Sequence, residues 1–466
     1  MTKPVRDRLP LATILPFSLP SMAFYSVSLA LVVYLPNYFT RDLMVSLSIV
    51  GGVWMAVRLL DAPVDILLSL AMDRTRTIIG RYRLWLIAGT PVLMLATWRL
   101  FMAPAHFSAG YLLLWLFVFY LGNSATTLAH PAWGANLASS YNDRSRLFGI
   151  LAAVGTCGTI LAMGFEAFSK PLHLSEVGAV RAMGWLVIAL LPFCIAIASA
   201  VTPEPIAAEP ARRRRIDPKS LWRVISRPSV LRLFGSQMAV TLGPGWMSAI
   251  YLFFFEDARG FTRPQATLLL AAYILAQIPG SLLVSALAQR IGKHRALIAC
   301  TCGFSLGVLS IFIIPKANFL ATLPALLWCG TMAAGFGLMI SAMLADVSDE
   351  IRLEVGEQHT SLVYAVNGLA VKIAGALSIG IAYPLLEWLG YRASGHNTPA
   401  AITHLEVSFL AGPIFFVMLG GACVIGWKLD ARRHAEIRLR LDARDAEEAP
   451  GLGEPLSTLQ GPKLAM

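Results

Sequence analysis

The sequence predicts an all-α membrane protein of twelve transmembrane helices, arranged as two six-helix halves, and three observations carry that prediction. The 466 residues are 56% hydrophobic and only 14% charged, where a soluble domain carries about 25% charged residues. The apolar residues fall in runs long enough to cross a hydrocarbon core, which takes about 20 residues of helix. The net charge of +11 sits in short clusters between these runs. That is the positive-inside pattern rather than a basic face, so nucleic acid is excluded as a partner and a lipid bilayer is expected instead.

In chain order the first six runs lie at 14–38, 44–72, 84–103, 109–137, 147–169 and 180–201. A polar stretch, 202–228, comes next with Pro203, Pro205, Pro210 and the basic run Arg212-Arg213-Arg214-Arg215. The second six lie at 229–255, 264–289, 296–315, 319–345, 359–388 and 403–428. The organisation expected is therefore a first half (1–201), a cytoplasmic middle loop (202–228), a second half (229–428) and a cytoplasmic tail (429–466). The tail is helix-compatible from Trp427 to Arg444 and reads as disordered from Ala449. The first run is too long for a cleavable leader and has no processing site.

The loops set the orientation. Arg74, Arg76, Arg81 and Arg83 come after the second run; Arg290, Lys293 and Arg295 after the eighth; Arg432, Arg433, Arg438, Arg440 and Arg444 close the chain. The opposite loops hold scattered charges such as Arg41, Lys316 and Arg392. Both termini are thus expected in the cytoplasm of a cell carrying this multi-pass protein in its inner membrane, most simply as a monomer. The halves also repeat: Gly80-Arg81-Tyr82-Arg83 leaves the second run as Gly292-Lys293-His294-Arg295 leaves the eighth. Repeated six-span halves place a solute site near the midplane between them, the arrangement of major facilitator transporters.

Polar groups inside apolar runs are costly and mark function by default. The second run holds Arg58, Asp61, Pro63 and Asp65. On a helix the two aspartates are i and i+4, with Arg58 one turn back on nearly the same face. Pro63 has no N–H, so the Leu59 carbonyl loses its helical partner. One arginine cannot neutralise two carboxylates; either one carboxylate holds a proton or another cation joins the site. Lys372, deep in the eleventh run with no acid a turn away, is the candidate for that charge; the competing reading has it reaching to an interface. With both bases present the site is formally neutral, so a bound cation requires Arg58 or Lys372 to move as the transport state changes.

The fourth run carries Asn123, Thr126, Thr127, His130 and Trp133 at three-and-four spacing, a polar and aromatic stripe suited to a cavity wall. His130 fits either a proton relay or a packing residue. Tyr25 in the first run, Gln277 in the eighth, and Tyr364 and Asn367 in the eleventh could complete the lining; Gln277 stands where the repeat would place a counterpart of Asp65. The six cysteines lie in or beside apolar runs without metal-ligand spacing, which argues against disulfides and zinc. The sequence has no nucleophile–base pair or metal set of an enzyme, and no cofactor is expected.

Arg58-Leu-Leu-Asp61-Ala-Pro-Val-Asp65, then Asp73-Arg74-Thr75-Arg76 and Gly80-Arg81-Tyr82-Arg83-Leu84-Trp85, with Ala345-Asp346-Val347-Ser348-Asp349-Glu350 leading to Tyr364, Asn367 and Lys372, resemble the glycoside–pentoside–hexuronide:cation symporters, the melibiose-permease-like family. The resemblance covers both halves. It implies a major facilitator fold and symport of a sugar or glycoside with H⁺ or Na⁺. It further implies that Asp61, Asp65 and Thr126 bind the cation, that Lys372 links cation and solute sites, and that Trp133 faces the sugar. The family's sugar-binding aspartates fall here at Phe24 or Tyr25 and at Ala129. Its amide between the two cation carboxylates is Val64, a loss that favours protons over Na⁺. The same branch includes sodium-coupled lysophospholipid transporters, which leaves a lysolipid or other amphiphilic solute as the alternative cargo.

Overall fold

The computed structural model describes residues 9–104, 107–138, 141–204, 225–355 and 360–447. The arginine run of the middle stretch and the chain end expected to be disordered lie outside these residues. Among them stand twelve long helices: α1 Leu11–Asp42, α2 Leu47–Arg74, α3 Tyr82–Phe101, α4 Ala109–Leu137, α5 Tyr141–Ala167, α6 Glu176–Val201, α7 Pro228–Ala258, α8 Arg263–Ile291, α9 Lys293–Ile313, α10 Phe319–Val355, α11 Thr360–Trp388 and α12 Pro399–Ala422. A shorter helix, α13 Ala431–Glu447, comes after them. Eleven of the twelve are long and apolar enough to cross a membrane. The twelfth is α2, which carries Arg58, Asp61 and Asp65. It packs between α4 and α11, so its charges turn into the bundle while Leu59, Leu60, Ile66, Leu67 and Leu70 stay exposed on its other side.

The repeat read from the sequence is a repeat of packing. In the first half α1 lies on α5 and α6, α2 on α4, and α3 on α4 and α6; each pairing recurs six helices later. Between the halves α2 packs on α11 and α5 on α8. The α2–α11 seam is close because it is built on glycine. A side chain on Gly51 would lie 2.9 Å from Pro384, and one on Gly380 would lie 2.5 Å from Met55.

Several helix bounds differ from the hydropathic runs. α1 and α7 run on to Asp42 and Ala258 through π turns at Tyr38–Asp42 and Phe254–Ala258. Their charged ends are paired with groups on other helices, so the helix need not stop where hydrophobicity does. α12 starts four residues before its run and ends six before it. The Thr398 side chain caps its first turn at the Ala401 N–H (3.2 Å), and Gly426 turns the chain after it with φ +69°.

Gly80 and Gly292 both take positive φ, +114° and +90°, at the starts of α3 and α9. The partners of these two helix starts differ between the halves. Glu204 accepts hydrogen bonds from the backbone N–H groups of Arg81, Tyr82 and Arg83 at 2.7, 2.8 and 3.1 Å, an acid at a helix N-terminus. In the second half Lys293 instead pairs with Asp346 of α10 at 2.7 Å. α13 buries Ile437 and Leu441 and sets His434 against Asp349 of α10 at 3.1 Å.

Candidate functional site

α2 and α11 come from opposite halves, and their packing brings Lys372 to the two aspartates. Lys372 Nζ lies 3.1 Å from Asp61 Oδ2 and in direct contact with Asp65 Oδ2. Ser124 Oγ of α4 donates to Asp61 Oδ1 at 2.8 Å. Arg58 Nη1 stands 3.8 Å from Asp61 Oδ2, and its guanidinium lies over the Tyr120 ring at 4.9 Å. Gly375 of α11 leaves room for it: a side chain there would come within 3.4 Å of the guanidinium.

The four charged groups differ in access. The Asp61 side chain is 3% exposed and Asp65 15%, while Lys372 and Arg58 are each 27% exposed. Asp65 Oδ1 is buried and has no hydrogen-bond partner. The site is thus two acids on the first half, both held by one ammonium from the second, with a carboxylate oxygen to spare. Such an arrangement can exchange the ammonium for another cation, or release it when a carboxylate takes a proton.

Ser124 is a polar residue of the fourth run that lies outside the stripe, and Tyr120 carries no signal of its own in the sequence. They are i and i+4 on the face of α4 that meets α2, one step off the Asn123–Thr126–His130–Trp133 stripe, and their spacing is the signal for them. Thr126 lies elsewhere. Its hydroxyl donates to the Gly122 and Asn123 carbonyls at 3.1 and 2.9 Å. Its methyl packs on Gly89 of α3, where a side chain would lie 2.9 Å away.

The residues expected around the solute are spread more widely. His130 is 2% exposed, stacked on Phe17 at 4.4 Å, with Nε2 2.7 Å from the Phe17 carbonyl. Trp133 is fully buried, edge-on to Phe17, and donates to the Pro203 carbonyl at 3.3 Å. In this conformation both are packing residues. Tyr25 is half-exposed and covers Gly155 of α5. Tyr364 is also half-exposed, its hydroxyl donating to the Ser341 carbonyl at 2.9 Å. Gln277 is partly buried on α8, and Asn367 Oδ1 is buried without a partner. Phe24 and Ala129, where sugar-binding acids would stand in the resembling family, are both buried.

A second set of charges joins the halves at the Asp42 end of the bundle. Arg41 contacts both Glu256 and Asp257 of α7, and Tyr391 donates to Asp257. Burial, with Asp257 beside it, pushes the Tyr391 phenol well above its usual range. Arg263, at the start of α8, lies 3.0 Å from Glu256, 2.8 Å from Asn37 Oδ1, 3.2 Å from Glu176 and 3.9 Å from Asp42. Glu387 of α11 accepts from the Ser48 N–H at 2.6 Å and the Ser46 hydroxyl at 2.9 Å, and so caps α2 across the seam. Tyr34 donates to Thr267 at 3.1 Å. The hydrogen bonds and ion pairs described here between the halves gather at this end and at Lys372.

A profile described as MFS/sugar transport protein matches residues 16–431 of the chain. The isoprimeverose transporter of Lactiplantibacillus pentosus is 24% identical over 85% of this chain and 84% of that protein. The sodium-dependent lysophosphatidylcholine symporter 1 of Homo sapiens is 23% identical over 88% of this chain and 80% of its own. Among solved structures, the nucleoside transporter NupG superposes with a TM-score of 0.66 at 13% identity, covering 89% of this chain and 99% of that one. That likeness shows the fold, two six-helix halves of the major facilitator type.

Proposed function

We propose that this chain, which belongs to the MFS/sugar transport protein family, is a secondary active transporter that carries a sugar or glycoside-like solute in symport with a cation by alternating access. The observation that carries the reading is Lys372 of one half held between Asp61 and Asp65 of the other. A group that bridges the two moving bodies and competes for two carboxylates links cation binding to their relative position. When a cation enters, the ammonium is displaced, and the seam at α2–α11 is free to shift.

Protons are the coupling ion in this proposal. Val64 offers no oxygen between the aspartates, and Ser124 rather than Thr126 is the hydroxyl on Asp61. A site with few neutral oxygens suits protonation better than Na⁺, which needs several ligands. In this reading the basic loops mark the Arg74 side as cytoplasmic. The Asp42 end then faces outward, and its cross-links describe a transporter closed to the outside.

A lysolipid or similar amphiphile is the second reading. It is favoured by the apolar, buried Phe24 and Ala129 in place of acids that would accept from sugar hydroxyls, together with the likeness to a lysophosphatidylcholine symporter. Uptake into proteoliposomes tests both: labelled glycosides, uronides and lysophospholipid are offered under an imposed H⁺ or Na⁺ gradient. Accumulation of a glycoside above its equilibrium level, driven by H⁺, is expected. Accumulation of lysophospholipid alone moves the cargo to the second reading, and uptake of every solute only to equilibrium contradicts coupling.

A further inference from the structure

In the cluster around Arg41 and Arg263 the charges do not balance. Asp42, Glu166, Glu176, Glu256 and Asp257 gather around Arg41 and Arg263, with Arg181 facing Tyr38 at the rim. Five carboxylates thus meet three guanidinia. Arg41 and Arg263 are committed to Glu256 and Asp257 first, and Glu176 is more than half exposed to its surroundings. Glu166 has neither advantage. It lies on α5, one residue from the helix end, and is 1% exposed. Among the described residues its carboxylate makes no ion pair, and Oε1 is buried without a hydrogen-bond partner. Around it stand Arg263 of α8, Glu176 of α6, Glu256 of α7, and Asp42 and Tyr34 of α1. Asn37 Nδ2, another buried polar atom on α1, is also unpaired here.

We infer that Glu166 is a second proton-binding site, separate from Asp61 and Asp65, and that it must hold a proton for the outer end to close. An ionised carboxylate in that position would be buried among three further acids that share Arg263 with it, which desolvation and like-charge repulsion both oppose. Glu166, Asp42 and Glu176 belong to the first half, whereas Arg263 and Glu256 belong to the second. When the halves part at this end, the acids of the first half are released into water and Glu166 ionises freely. The closed form therefore binds one proton more than the open form, and closure is favoured as the outside pH falls. The inference rests on alternating access between the halves, and it concerns the gate rather than the solute.

The test reads the gate directly. Amide hydrogen exchange of residues 34–45 and 254–263 is followed in purified full-length protein in lipid nanodiscs from pH 5 to 9, corrected for the intrinsic pH dependence of exchange. Wild-type protection in these segments is expected to fall with rising pH, by up to about tenfold per pH unit across the titration of Glu166. Glu166→Gln, fixed in the neutral form, is expected to stay protected throughout. Glu354→Gln, an exposed acid on α10 away from this cluster, should respond as wild type does. A flat wild-type profile overturns the inference, as does a Glu166→Gln profile that tracks the wild type, or a response abolished by Glu354→Gln. Should Glu166→Gln fail to insert, Glu166→Asp serves: its shortened acid should shift the midpoint, and an unmoved midpoint overturns the inference. A pH-responsive gate in a protein that accumulates no solute would sink the proposed function and leave Glu166 standing.

Discussion

Charged side chains bridge the two halves at the midplane and at the Asp42 end, and the two bridges are built on different balances. At the midplane Arg58 and Lys372 meet Asp61 and Asp65, charge for charge, with Ser124 adding a donor to Asp61. In the cluster around Arg41 and Arg263 carboxylates outnumber guanidinia, and Glu166 Oε1 is buried without a hydrogen-bond partner. A balanced site cannot take up a cation without expelling one of its own bases, so uptake there is tied to movement. An acid-rich site takes up a proton simply by being closed. The first arrangement suits coupling, the second suits a latch.

The sharpest way to break this contrast is to neutralise an acid at the midplane. Asp61→Asn or Asp65→Asn is expected to reduce uphill accumulation in vesicles to the level of protein-free controls while insertion and folding persist. Lys372→Met should act on stability instead. It strands two buried acids, and breaking a buried pair costs about 3–5 kcal/mol, an upper bound for a lysine that is 27% exposed. Thermal unfolding of Lys372→Met should show the loss, and the double variant with Asp65→Asn should recover most of it.

Smaller effects sharpen the same comparison. Ser124→Ala removes a donor to a charged oxygen, worth about 1.5–3 kcal/mol; because that hydrogen bond favours the ionised acid, its loss should lower the H⁺ concentration needed for half-maximal coupling by at least about tenfold. Thr126→Val should change it by less than about threefold, because that hydroxyl is already satisfied by its own helix. At the other end, Arg41→Gln should loosen the outer contact by about 1 kcal/mol, the scale of a partly exposed ion pair. It would appear as several-fold faster amide exchange in residues 254–263.

The two regions are also unequally legible in the sequence. Arg58, Asp61, Asp65 and Lys372 stand in the middle of apolar runs, where a charge has no solvent to explain it, and the need of Lys372 for a partner across the bundle is a consequence of that. The outer set reads in the sequence as scattered loop charge. Arg41 and Glu256 are 215 residues apart, each at a helix end where charges are ordinary, and only the packing of α1 on α7 and of α5 on α8 brings the set together. Ser124 is visible as a polar residue of the fourth run, but its role is hidden for a different reason. The stripe through Asn123, Thr126 and His130 gives the polar period of α4 correctly, but the face that meets α2 lies one residue to the side. The packing of His130 and Trp133 against Phe17 is similarly hidden, since a polar stripe does not reveal which of its residues line a space and which fill a core.

Gradient-driven uptake in wild type and Asp65→Asn bears most directly on the midplane site. A glycoside found to be transported is offered to vesicles under an inward H⁺ gradient, an inward Na⁺ gradient, or neither. Wild type should accumulate it above equilibrium with H⁺, respond less to Na⁺, and merely equilibrate without a gradient; Asp65→Asn should equilibrate in all three. Accumulation by Asp65→Asn equal to that of wild type would contradict the assignment of Asp61 and Asp65 as the place where the ion drives the cargo.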